Sequence, residues 1–135
     1  GIVAVNNMFG EPDRMRYAGV PWVVYTHPEV AGVGQTEEQL ADQGVEYLKA
    51  TVPMALAGRF MVENEGESGT VKVLVGKRYH EILGVHIIGD TCGELIATAA
   101  TWIENEMRVE DIREIIFPHP TVSEILKEAV AAVEV

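Results

Sequence analysis

Two neighbouring apolar segments of different period constrain the fold of this chain more than any other feature. Val71, Val73 and Val75 recur at every second position, the signature of a strand with one buried face. The segment Ile82–Ile88 is apolar almost without interruption, as expected for a central strand covered on both faces. A turn at residues 76–80 joins them, and the turn-rich residues 64–69 precede Val71, with residues 60–63 as the opposite arm of a hairpin. Residues 20–26, 29–33 and 47–53 add three more extended segments. The expected sheet is an antiparallel meander.

Helical spacing appears elsewhere. Thr36 with Gln39 forms a capping box, and Gly44 stops the helix it opens. Leu95, Ile96, Ala99, Trp102, Ile103 and Met107 make the stripe of a long helix, and Ile112, Ile115 and Ile116 that of a shorter one. A last helix carries Val122, Ile125, Leu126, Ala129, Val130 and Val133. Strands first and helices last give an α+β fold, an antiparallel sheet packed with helices. Residues 1–17 have an uneven pattern and read as a loosely held tail, which leaves residues 18–135 as one domain.

Composition narrows the partners. With 135 residues, 47% of them hydrophobic, the chain can build one core and not two. A net charge of −11 argues against nucleic acid and anionic membrane, because both require Lys and Arg to neutralise phosphates. The single Cys92 has no partner for an internal disulfide, and neither a signal peptide nor an apolar run of membrane-spanning length is present. The cytoplasm is the expected compartment.

The stretch with most chemistry is Phe117, Pro118, His119, Pro120, Thr121, Val122, Ser123 and Glu124. It sets a histidine just before a helix and a carboxylate on that helix's first turn. An imidazole held by a carboxylate through one nitrogen has its tautomer fixed, which leaves the other nitrogen to exchange protons near neutral pH. The same spacing also fits a capping box in which Glu124 merely accepts a backbone N–H. Spacing alone leaves both open. His27, His80 and His86 are not paired with one another at ligand spacing and no cysteine joins them, so no metal site is expected. His86, inside an apolar strand, reads as a hydrogen-bonded core residue, and His80, in a turn, as a solvated one. Cys92 sits near a helix start but reads as an inert thiol, and Trp102 and Met107 read as packing or interface residues.

Three motifs together resemble the C-terminal interface (dimerisation) domain of the flavin-dependent pyridine nucleotide-disulfide oxidoreductases. They are the octapeptide, the run from Tyr25-Thr26-His27-Pro28-Glu29 through Gly32-Val33-Gly34-Gln35-Thr36 to Leu40, and Gly84-Val85-His86-Ile87-Ile88-Gly89. Within that family the dihydrolipoamide dehydrogenases are most similar. The resemblance implies that His119 is the acid/base of dithiol-disulfide exchange, that Glu124 orients it, and that the His119-Pro120 bond is cis. It also implies a homodimer in which His119 serves the cysteine pair of the other subunit, and an enzyme using FAD and NAD. Many dihydrolipoamide dehydrogenases carry a histidine where this chain has Phe117. A glutathione-reductase type shares the His-Pro-Thr pattern but fits the first motif less well.

The chain has no cysteine pair, and the run at Gly32 and Gly34 lacks the third glycine of a dinucleotide loop. It begins at Gly1, without Met. The expectation is therefore the last domain of a larger enzyme, with residues 1–17 closing the preceding flavin-binding region and the FAD and NAD domains as its partners. Alone it would be inactive and bind neither cofactor. The rivals are a stand-alone dimerisation module and, far weaker, a small hydrolase using His119 and Glu124, for which no nucleophile is placed.

Overall fold

A computed structural model describes all 135 residues. Five antiparallel strands, β1 (Trp22–Val24), β2 (Val30–Gly34), β3 (Tyr47–Pro53), β4 (Thr70–Gly76) and β5 (Ile82–Ile88), form one sheet in the order β1-β2-β5-β4-β3. Six helices accompany them: α1 (Ile2–Met8), α2 (Glu37–Asp42), α3 (Gly58–Glu63), α4 (Cys92–Glu104), α5 (Val109–Glu114) and α6 (Glu124–Ala131). A meander is present as β3-β4-β5, and the β1-β2 hairpin adds to the free edge of β5. The fold is α+β. No helix is long and apolar enough to cross a membrane.

One sheet face carries the core. Val71, Val73, Val85 and Ile87 pack with Leu95, Ile96, Ala99, Trp102 and Ile103 of α4 and with Ile125, Leu126, Ala129 and Val130 of α6. The stripe of α4 is therefore spent on the sheet, and a subunit contact made through this helix would use its outer residues Glu94, Ala97, Thr101 and Glu104, all exposed. Trp102 is a packing residue, only 2% exposed.

Two expectations need correction. Residues 60–63 are not a hairpin arm: they belong to α3, whose end is closed by Asn64, since both its backbone N–H and its side-chain amide donate to the Phe60 carbonyl. The true partner of β4 on that side is β3. β5 is central but not covered on both faces: Val85 and Ile87 are buried while Ile88, on the other face, is 46% exposed. A strand's two faces can both be apolar in sequence when the second is only partly roofed. Within the tail, residues 2–8 form α1, which buries no residue.

The second face is roofed in part by α2. Its capping box is formed as expected, with Thr36 Oγ1 accepting from the Gln39 N–H and the Gln39 amide oxygen accepting from the Thr36 N–H. Glu37 reaches from α2 to Lys49 and Lys72 of the sheet, each at 2.9 Å, and accepts from the Tyr47 hydroxyl at 3.1 Å. The lysine ammonium groups bring the Glu37 carboxyl down to about 2. A depressed carboxylate contributes stability that is present above its ordinary value and lost as pH falls towards 2. A quarter of the Glu37 side chain is exposed, which screens the ion pairs. Glu37→Gln is expected to cost about 1–2 kcal/mol at pH 7, shrinking to about 0.4 kcal/mol at pH 2. Urea midpoints of both proteins across that range check it, and a difference independent of pH would refute it.

Candidate functional site

His119 and Glu124 meet as the spacing suggested. The His119-Pro120 peptide is cis, as is His27-Pro28. His119 Nδ1 lies 2.8 Å from Glu124 Oε1, and Glu124 Oε2 accepts the Thr121 backbone N–H at 2.9 Å. One carboxylate therefore performs both jobs that the sequence left open, half of a capping interaction and the grip on the imidazole. The reciprocal half is missing: the Thr121 hydroxyl donates to the Pro118 carbonyl and meets Ser123 Oγ, and Ser123 stands at the helix start without a side-chain cap. The Thr121 N–H, and next the imidazole, hold Glu124 below the usual carboxylate range.

The geometry decides the tautomer. A carboxylate accepts, so Nδ1 carries the hydrogen and Nε2 presents its lone pair. Nε2 makes no bond within the chain, and the His119 side chain is 80% exposed. Glu124, at 24%, is the sheltered member. A fixed ring aiming a free nitrogen outward can exchange a proton only with a group that another molecule or domain brings to it.

The other histidines are held differently. His80, expected to be solvated, pairs through Nδ1 with Glu110 at 2.7 Å because its left-handed backbone, φ 58°, turns it onto the start of α5. His86, expected to be a hydrogen-bonded core residue, has no partner for either ring nitrogen. It lies on the incompletely roofed second face, and burial, then Lys72, holds its pKa below the usual histidine value. His27 Nδ1 lies 2.9 Å from Asp90 and its Nε2 3.5 Å from Glu67. This contact joins residues 63 positions apart and had no signal in local spacing. No three His, Cys, Asp or Glu side chains are disposed to hold a metal ion.

Cys92 is fully buried at the start of α4, where Glu29 Oε2 accepts the Gly93 N–H at 3.0 Å. Burial, and then the Glu29 carboxylate, pushes the thiol up to about 11. Since the thiolate is the reactive form, Cys92 is expected to resist alkylation by iodoacetamide at pH 8 in the folded chain and to react fully in urea. Comparable rates in the two states would refute this.

The glycines that begin like a dinucleotide loop serve the sheet. A side chain at Gly32 would strike the Trp22 ring, and Gly34, at φ +78°, is pressed against the Leu83 carbonyl. Both lie in β2, paired with β5, so neither is available to wrap a pyrophosphate. These residues do not fit FAD or NAD.

Known proteins share this fold. The structure superposes on the HOCl-induced flavoprotein disulfide reductase RclA from Escherichia coli with a TM-score of 0.87 at 26% identity, over 98% of this chain and 31% of that one. For LpdA from Mycobacterium tuberculosis the TM-score is 0.86 at 23% identity, over 96% and 28%, a likeness of fold. The mitochondrial dihydrolipoyl dehydrogenase of Caenorhabditis elegans is 46% identical over 129 residues, 96% of this chain and 26% of the relative. The dihydrolipoyl dehydrogenase of Cupriavidus necator is 39% identical over 134 residues, 99% and 28%. The chain thus spans about a quarter of the length of these curated relatives. Residues 20–130 match the dimerisation domain of the pyridine nucleotide-disulphide oxidoreductases, and the chain belongs to that family.

Proposed function

We propose that this domain supplies the acid/base for dithiol-disulfide exchange in a homodimeric, dihydrolipoyl-dehydrogenase-like flavoprotein, with His119 moving the proton and Glu124 positioning its ring. The observation that carries the reading is the 2.8 Å contact between His119 Nδ1 and Glu124, which leaves an exposed Nε2 as acceptor. Nε2 takes the proton of a substrate thiol as its thiolate forms, and the resulting imidazolium is stabilised by the anionic Glu124. In the reverse direction the imidazolium returns the proton to the leaving thiolate.

The oxidant in this reading lies outside these residues. Cys92, buried and held protonated, is unfit as a redox thiol, so the cysteine pair belongs to another part of the enzyme. FAD and NAD, held by the preceding domains, supply the electron path from that pair. Residues 1–17 close the flavin-binding region, and residues 18–135 are the interface domain. The chain on its own is inactive and binds neither cofactor. The compartment we favour is the cytoplasm, although relatives from animals and plants carry mitochondrial names. Lipoamide turnover by the full-length enzyme with His119 replaced tests the reading, and unchanged turnover would overturn it.

A further inference from the structure

The segment that carries His119 is held without help from its own backbone. Residues 116–121 lie between α5 and α6, and none of their N–H or C=O groups takes part in a backbone–backbone hydrogen bond. Side chains hold the segment instead. Lys127 of α6 donates to the Ile115 carbonyl at 2.6 Å, and Phe117 and Val122 pack against the core. The hold nearest His119 is Thr121. Its hydroxyl donates to the Pro118 carbonyl at 2.7 Å, and its N–H donates to Glu124 Oε2 at 2.9 Å. Because its one hydroxyl hydrogen goes to Pro118, the 2.9 Å contact with Ser123 Oγ runs the other way, with Ser123 as donor.

We infer that Thr121 is the positioning residue of the His119 and Glu124 pair, and that it acts through its hydroxyl. The Pro118 carbonyl belongs to the peptide plane that enters His119, so fixing that oxygen fixes the direction in which the imidazole leaves the chain. The amide of the same residue fixes the carboxylate that grips the imidazole. Histidine and glutamate are thus both referenced to Thr121, and the 2.8 Å contact between them closes the frame. A segment without backbone bonds opens locally at little cost, and a base displaced by about 1 Å loses about 10²-fold in rate. A solvent-exposed hydroxyl bond adds little to global stability, so its effect falls on the placement of the base and not on the fold. Thr121 has this role only if His119 is the acid/base proposed above.

The experiment uses the full-length enzyme that contains this chain, with lipoamide and NADH. Thr121→Val keeps the N–H and the shape of the side chain and loses the hydroxyl, whereas Thr121→Ser keeps the hydroxyl and loses only a methyl. Thr121→Val should lower kcat for lipoamide by about 10–100-fold with KM within about twofold, and Thr121→Ser should restore kcat to within about threefold. Flavin reduction by NADH should stay within about twofold in both, because it passes no proton through His119. Added to His119→Gln, Thr121→Val should change turnover by less than about twofold, since no imidazole is left to place. The role of Thr121 is overturned if Thr121→Val keeps full turnover, if Thr121→Ser falls as far as Thr121→Val, or if Thr121→Val multiplies the loss caused by His119→Gln. Loss of bound flavin in Thr121→Val would also overturn it, because the hydroxyl would then be holding the fold. If His119→Gln alone leaves turnover intact, the acid/base reading itself fails; if it abolishes turnover and Thr121→Val does not lower it, only the role of Thr121 fails.

Discussion

Replacing His119 by Gln in the full-length enzyme is expected to lower lipoamide turnover by about 10²–10⁴-fold, the usual worth of a positioned general base. Gln keeps a polar group of similar reach but has no nitrogen that can accept the thiol proton. Flavin reduction by NADH passes no proton through Nε2 and should stay within about twofold. Glu124→Gln should cost less, because the imidazole remains and loses only its orientation and the charge opposite the imidazolium. Stopped-flow flavin reduction beside steady-state lipoamide kinetics checks the pattern. Equal loss in both half-reactions would mean that the fold or flavin binding had been damaged and would leave no case for His119 as the base.

Phe60→Ala is expected to be the most destabilising single change, at about 3–5 kcal/mol, from the lost transfer energy and the cavity left behind. Phe60 is 0% exposed and belongs to the main core cluster. Against a stability of about 5–15 kcal/mol for an ordinary domain, such a loss leaves a marginal fold. Urea unfolding followed by tryptophan fluorescence measures it, and a loss below about 1 kcal/mol would show that the surroundings of Phe60 collapse to fill the space.

Phe60 also marks where the sequence stops being legible. Six residues of helix with no side-chain cap at the start carry too little periodicity to separate from an extended arm, and what ends α3 is Asn64 binding back onto a carbonyl. By contrast β3 and β5 were readable to the residue, because Gly44 and Pro53 bracket the first and the turn at residues 76–80 and Gly89 the second. The capping box of α2 was readable because Thr36 and Gln39 are only three positions apart. The exposure of Ile88 was not readable, since an apolar run does not say how much of each face is roofed.

The site divides in the same way. His119 and Glu124 lie five positions apart, so their contact follows from local geometry, and the sequence named both. It could not say that Glu124 would hold the Thr121 N–H and the imidazole at once, because that needs the two carboxylate oxygens to point in different directions. His27 with Asp90, and His80 with Glu110, are brought together by the sheet and by a left-handed turn, over separations that no local pattern encodes.

The family resemblance implies that the exposed Nε2 works across the subunit boundary, and none of these 135 residues accepts or offers the proton. The most direct test is a mixed dimer of the full-length enzyme in which one subunit carries His119→Gln and the other lacks its redox cysteine pair. If His119 serves the partner's cysteines, both defects fall on one shared site, the second site is intact, and the mixed dimer turns over lipoamide although each parent homodimer is dead. If the mixed dimer is also dead while both parents assemble and bind FAD, His119 does not act across the interface, and the account is contradicted.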